Sequence, residues 1–488
     1  MVARPTRLAP EARSTDGLEA VFAAIRAEHE VPEDFPAPVL AAAEEAARAP
    51  RLPAEDATDV PFVTIDPPGA RDLDQALHVE RRAKGYLVRY AIADLTAFLA
   101  PGDPVDLESH RRGQTVYCPD ARAPLHPPVL SEGAASLLPG EVRPAYVWEI
   151  ALDADGARSS AHVRRALVRS RRQLSYAEAQ AAIEAGEETA LLLEEVGRLR
   201  VARESARGGA SLPKPEQEVH LDDEGRYALR LRPLVPAEEW NAQVSLLTGI
   251  AAAQVMLEGG TGLLRTMPPA EPEAVARFRR EVAALGATWP EDQPYGDFLR
   301  SLDRTDPRHL AVVHEAASLF RGSAYTVLDA DHPAPADPRQ AAIAAPYAHT
   351  TAPLRRLVDR YALATCEALC AGREVPDWVT AALPGLPATM ESSARRAGAV
   401  ERACTDAVEA AVLAHRVGEV FEAVVVDVTR SGPELLLLEP AVTARAEGEA
   451  EAGTRVRARL VEADLARRSV RFAVLPEQRS GSTGTPRV

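Results

Sequence analysis

The apolar positions along the chain change their period three times. Between residues 16 and 48 they recur every three to four positions. Asp16 stands where a cap belongs before LEAVFAAIRAEH, VPEDFP interrupts, and Pro38 opens VLAAAEEAARA. Residues 49–61 are rich in Pro and Asp and read as a linker. From Pro61 the period becomes two. FVTID reads as a strand, and ALHVERRAKGYLVRYAIADLTAFL as two or three strands around a Lys84-Gly85 turn, with strand and loop character continuing to about Arg169. Helical period returns in YAEAQAAIEAG, ETALLLEEVGRLRVARESA, WNAQVSLLTGIAAAQVML, PEAVARFRREVAALG, HLAVVHEAASLF and APLRRLVDRYALATCEALCAG, and a last long helix runs from about Met390 to His415. Beyond Val417 the segments GEVFEAVVVDVTRSG, PELLLLEP, RVRARLVEADL and RRSVRFAVL are short, β-rich and separated by turns. That is the texture of a small five-stranded barrel of the OB type. Residues 1–15 and the Ser/Gly/Thr/Pro tail are expected to be disordered.

This pattern divides the chain into a helical module with linker (1–60), a main α+β domain (61–415), a barrel (416–475) and a tail (476–488). Its 488 residues suffice for several buried cores. No run of eighteen apolar residues exists, so no membrane span is expected. The first residues lack the apolar core and cleavage site of a signal peptide, which makes a cytoplasmic protein the expectation. Cys366 and Cys370 lie four apart in a helical stretch, not at zinc-knuckle spacing. With Cys118 and Cys404 they read as reduced, mostly buried thiols. The net charge of −16 argues weakly against a nucleic-acid partner. The basic residues are clustered, however, at Arg164-Arg165, Arg169, Arg171-Arg172, Arg355-Arg356 and Arg395-Arg396. An acidic exterior around a basic channel fits these numbers, and so does an acidic protein with scattered surface arginines.

The sharpest chemical feature is TIDPPGARDLDQAL. Asp66, Asp72 and Asp74 fall within nine residues beside Gln75, and Pro67-Pro68-Gly69 forces a turn between them. Asp72 and Asp74 alternate with Leu73, so in extended geometry both carboxylates face one side. Three converging acids repel one another unless a cation is present, and hard divalent cations take carboxylate oxygens. Two-metal sites use this chemistry to cleave phosphodiesters. A solvated acidic turn or a calcium loop is the plainer alternative. The second feature is YAHTTAPLRRLVDRYA. Pro353 suits the first turn of a helix, placing Arg355 and Arg356 at its start, where anions are favoured. Exposed arginines on a helix face are the alternative. Glu401 and Tyr117 say nothing alone.

Together these phrases resemble the ribonuclease II/R (RNB-type) family over roughly residues 28–415. PFVTIDPPGARDLDQAL, YAIADLTAFLAPGDPVDLESHRRGQTVYCP, PPVLSEGAASLLPGEVRP, VRSRRQLSYAEAQ, LRVARESARGGASL, YAHTTAPLRRLVDR, ARRAGAVER and EHEVPEDFP all match it in order. The resemblance implies an α+β fold: an RNB-type catalytic domain with a mixed β-sheet surrounded by helices, and an S1-like barrel that binds RNA. It implies a processive 3′-to-5′ exoribonuclease, monomeric, using Mg2+ with Mn2+ as substitute, and releasing nucleoside 5′-monophosphates from single-stranded RNA. Asp66, Asp72, Asp74 and Gln75 occupy the metal positions, with Asp74 the acid most directly needed for hydrolysis. Arg355 matches the arginine at the scissile phosphate, and Tyr117 the tyrosine that positions the 3′-terminal nucleotide. Glu401 matches the acid near the terminal sugars. His349 and Arg356 fall in the same signature as further substrate contacts.

Three departures accompany the resemblance. The family loop is D-x5-D-x-D-D, and Gln75 stands at its fourth aspartate. Ala242 and Gln243 stand where many members carry an acidic pair. About 60 helical residues, compatible with a helix-turn-helix-like module, precede the catalytic domain in place of two cold-shock barrels, which would leave a more open entrance for RNA with secondary structure. The rival of another class is an RNA-binding regulator on the same fold, disabled by Gln75. A small-molecule phosphatase leaves the terminal barrel unexplained.

Overall fold

The computed structural model describes residues 6–9, 17–210 and 217–476, apart from 233, 304–305, 317–318, 438 and 441. The period-two region forms β1 (Phe62–Ile65), β2 (Gln75–Arg82), β3 (Gly85–Ala93), β4 (Val142–Leu152) and β5 (Arg158–Leu174). The mixed sheet expected here is closed into a barrel in the order β1-β2-β3-β4-β5. Neighbours run antiparallel, and β5 returns to β1 in parallel, with Ile65 opposite Leu174. That pairing explains why strand character outlasts Arg169. At the β2–β3 turn Gly85 has φ +137°, and a Cβ there would meet the Leu152 carbonyl oxygen at 2.1 Å. Only glycine fits such a position. Alternation on β3 buries Tyr86, Val88 and Tyr90 beside Trp148 and Ile150 of β4. The Pro236–Gly259 and Leu357–Cys370 helices cover this core with Trp240, Val244, Leu247, Leu363 and Cys366.

The remaining expected helices are present, the last starting at Leu386 and running Leu386–Leu413. Among the described residues three strand pairs interrupt them, unforeseen because no strand exceeds five residues: Gln217–Leu221 with Tyr227–Leu231, Gly262–Thr266 with Ala324–Leu328, and Arg339–Gln340 with Ala345–Pro346. Thr6–Leu8 runs parallel to Gln217–Leu221, which corrects the expectation of disorder throughout 1–15. Asp16 and residues 477–488 lie outside the described residues, and Gly17 precedes the first helix without a side-chain cap.

The C-terminal strands are β6 (Val420–Thr429), β7 (Gly432–Leu437), β8 (Thr443–Glu447), β9 (Arg455–Asp464) and β10 (Ser469–Val474). They close as β6-β7-β8-β10-β9 around Phe421, Val425, Leu435, Leu460 and Phe472, as the alternation foretold. The N-terminal helices dock on two different cores. Leu18–Glu28 buries Leu18, Phe22 and Ile25 against Val400, Cys404 and Val408 of the Leu386–Leu413 helix. Ala37–Arg48 buries Val39 and Ala43 with Phe62, Leu73 and Ala91. Phe22 is fully buried, so Phe22→Ala is expected to cost about 3–5 kcal/mol in chemical denaturation. A loss below about 1 kcal/mol would contradict this docking.

Candidate active site

β1 ends at Ile65 and delivers Asp66 to one end of the barrel, where its N–H donates to the Leu174 carbonyl (3.0 Å). The Pro67–Gly69 turn follows, Ala70 N–H donating to the Pro67 carbonyl at 3.1 Å. The chain then re-enters the core at Leu73. Its N–H donates to Ser136 Oγ (2.9 Å) and its carbonyl accepts from Leu137 N–H (3.0 Å). This anchor sets Asp72 and Asp74 on either side of a buried leucine, within reach of one another's charge.

Asp74 is buried. Its Oδ1 accepts from Leu354 N–H (2.7 Å), and its Oδ2 stands 3.7 Å from Arg355 Nε. Burial pushes its carboxyl well above the usual range, against the pull of Arg355 and the Leu354 bond. Asp66 is pushed up to about 6, first by burial, with Arg355 opposing and Asp72 adding. Its Oδ2 is buried without a hydrogen-bond partner. Asp72 accepts from Arg122 Nη1 (2.6 Å), and Arg122 also donates to Glu132 (2.7 Å). Gln75 opens β2 with both ends of its amide committed: Nε2 donates to the Thr351 carbonyl, and Oε1 accepts from the Tyr90 hydroxyl.

Arg355 does not sit in the first turn of a helix, as Pro353 had suggested. The helix begins at Leu357, and Arg356 is extended at φ −134°. Bonds from a segment distant in sequence hold this backbone open: Thr115 N–H donates to the Arg355 carbonyl (3.0 Å) and Leu357 N–H to the Gly113 carbonyl (3.0 Å). The two arginines therefore differ. Arg356 forks onto Asp359 with two bonds of 2.9 Å. The Arg355 side chain is 47% exposed and lines a cavity of about 330 Å3 with Gln75, Tyr176, Glu238 and Glu239. Ala242 and Gln243 line it too, and Gln243 Nε2 donates to Glu204 Oε2 (2.7 Å). Two carboxylates thus reach the cavity one helical turn before the position where a pair was sought. PAEEW carried that signal in the sequence. Glu238 is bound to Arg232 and accepts from Val235 N–H.

Tyr117 is half exposed in the strand Val116–Tyr117, opposite Arg122, the arginine that holds Asp72. Val116 and Val400, the chain neighbours of Tyr117 and Glu401, belong to one buried core. Glu401 itself is exposed. His349 Nδ1 lies 2.7 Å from the Tyr325 hydroxyl. Burial, then the charges of Arg356, Arg265 and Arg355, hold the ring neutral. Of the other clustered arginines, Arg164 pairs with Glu55, Arg165 with Asp94, Arg172 with Glu187 and Arg395 with Glu391. All four cysteines are free thiols, Cys366 and Cys404 buried. The hard oxygen donors and the orphaned Asp66 Oδ2 fit a divalent cation. Among the described residues, no three His, Cys, Asp or Glu side chains stand together at ligand spacing as folded. Asp72 is turned instead to Arg122.

Fold and site define an α+β protein with two closed five-stranded barrels, the first ending in a carboxylate loop that meets an arginine turn. Residues 54–370 match the RNB domain, and residues 419–475 match the RNase II-type exonuclease C-terminal S1 domain. The chain belongs to the RNB family. It is 28% identical over 407 residues to Ribonuclease R of Escherichia coli (strain K12), covering 77% of this chain and 49% of that protein. It thus spans about half the length of the curated relatives it matches. The apo form of Mycoplasma genitalium RNase R superposes with a TM-score of 0.80 at 19% identity, covering 95% of this chain and 79% of that one. Its complex with ribose methylated single-stranded RNA gives 0.80 at 17%, covering 97% and 85%. Yeast Ssd1, a pseudonuclease, gives 0.67 at 16%, covering 91% and 58%. At these identities the structural likenesses show the fold.

Proposed function

We propose that the chain is a hydrolytic 3′-to-5′ exoribonuclease that takes single-stranded RNA and releases nucleoside 5′-monophosphates in succession. The observation that carries this is the joint between Asp74 and the turn bearing Arg355, at the end of an RNB-domain barrel. Asp66, Asp72 and Asp74 would hold magnesium, or manganese in its place, and the bound cation would supply an activated water and charge neutralisation at the phosphodiester. Arg355 is placed to fork onto the scissile phosphate, because its side chain is half exposed and its ion pair with Asp74 is long, at 3.7 Å. Tyr117 offers a half-exposed ring for the terminal base, and Glu401 an acid for the terminal sugars. His349, held neutral, and Arg356, fixed on Asp359, would act as further substrate contacts only through polar atoms these partners leave over. RNA is preferred over DNA through its 2′-hydroxyls. Among the described residues no helix is long and apolar enough to cross a membrane, and a monomer working in the cytoplasm suits this reading.

RNA labelled at its 3′ end distinguishes this chemistry from internal cutting. The first labelled product is expected to be a nucleoside 5′-monophosphate, and a circular RNA of the same sequence should survive intact. Cleavage of the circle would make the protein an endonuclease. The second reading, an RNA binder without turnover, is favoured by one observation: an amide stands at position 75, where the family loop has its fourth aspartate. Its signature would be salt-sensitive RNA binding with both substrates left whole.

A further inference from the structure

We infer that Gln75 is a positioning residue, an amide tether that fixes the Arg355 turn against the carboxylate loop, and not a cation ligand. This rests on the exoribonuclease reading above and deepens it. Asp74 and Gln75 are consecutive, and each grips the same short stretch of chain some 280 positions away. Asp74 accepts from the N–H of Leu354, and Gln75 Nε2 donates a hydrogen bond to the carbonyl of Thr351. The two grips lie on either side of Pro353, so the stretch that ends in Arg355 is fixed at two points. Thr351 is buried, and its hydroxyl pairs with Ser245 Oγ at 2.8 Å. The next residue, Ala352, donates its N–H to Asp359 at 2.7 Å. The turn is therefore clamped by the carboxylate loop, the Pro236–Gly259 helix and its own following helix.

The orientation of the amide is set by Tyr90, a buried residue of β3, whose hydroxyl donates to Gln75 Oε1 and leaves Nε2 for Thr351. A side chain here must accept at one atom and donate at the other, reaching both from β2. Glutamate has the length and lacks the donor, so it would set a charged oxygen against the Thr351 carbonyl. Aspartate lacks the donor and is one carbon shorter. The fourth family carboxylate cannot be restored in this chain without losing the tether.

The test compares native chain, Gln75→Glu, Gln75→Asp and Tyr90→Phe in three measurements: single-turnover cleavage of single-stranded RNA at saturating Mg2+, Mg2+ affinity by calorimetry without RNA, and amide hydrogen exchange at Leu354 and Leu357. With the tether, Gln75→Glu cleaves about tenfold more slowly, the worth of one hydrogen bond, although Mg2+ binds as well or better. Exchange at Leu354 and Leu357 quickens, Gln75→Asp gains nothing, and Tyr90→Phe falls between native and Gln75→Glu. Faster cleavage and tighter Mg2+ in either acidic variant, with exchange unchanged, would overturn the inference and make position 75 a ligand. The exchange arm needs no turnover. An inactive native chain would remove the exoribonuclease reading while exchange still decides the tether.

Discussion

Asp74→Asn is expected to slow single-turnover cleavage of RNA by about 10²–10⁴-fold, the range lost with a proton-handling carboxylate, while RNA still binds. Asparagine keeps the shape and an Oδ1 that accepts from Leu354 N–H, so the turn stays in place. What is lost is a charge that would help hold the cation and stabilise the attacking water. The same change removes a carboxyl that burial disfavours in its charged form, so thermal stability should hold or rise slightly at neutral pH. Loss of activity without loss of stability separates a chemical role from a structural one. An Asn variant that cleaves at the native rate would exclude Asp74 from the chemistry.

Arg355→Ala is expected to lower cleavage by about 10²–10³-fold, as removing one preorganised group at a developing charge does. The Arg355 side chain is 47% exposed, and its only ion pair among the described residues is a 3.7 Å contact with Asp74, so its contribution to folding should be small. Arg355→Lys should recover little, because an ammonium cannot fork onto a phosphate. Arg356→Ala serves as the opposite control. Its partner Asp359 is fully buried and also accepts from Ala352 N–H. Stranding that carboxylate should cost about 3–5 kcal/mol of stability, read by denaturation. Equal effects of the two alanines on turnover and folding would erase the distinction drawn between these neighbours.

Much of the fold is legible as period. The strands FVTI and QALHVERR, the long helices and the terminal barrel all announce themselves through alternation or helical recurrence. Closure is not legible in that way, because the parallel pair of β1 and β5 joins residues about 110 positions apart and leaves no mark on either strand. The docking of Leu18–Glu28 on Leu386–Leu413 is hidden for the same reason. Pro353 misled through a local rule: proline suits a helix start, but bonds from Gly113–Thr115 hold Arg355 and Arg356 outside the helix. The acidic loop was visible in spacing, but the roles of the site residues came from the family resemblance, which names positions and not partners. Nothing local distinguishes Arg355 from Arg356, yet one lines a cavity and the other is locked on Asp359. Gln75 reads in sequence as a missing charge. Its contacts to Tyr90 and Thr351 show a different use of the amide.

The most direct measurement is a time course on 5′-labelled single-stranded RNA, with Mg2+ and with chelator, for the native chain beside Asp74→Asn. The expected result is conversion by the native chain, only with Mg2+, to a short limit product with few intermediates, while Asp74→Asn binds the RNA and leaves it whole. Native chain that binds RNA and leaves it intact at every Mg2+ and Mn2+ concentration would contradict the exoribonuclease reading and make the protein an RNA binder on a nuclease fold.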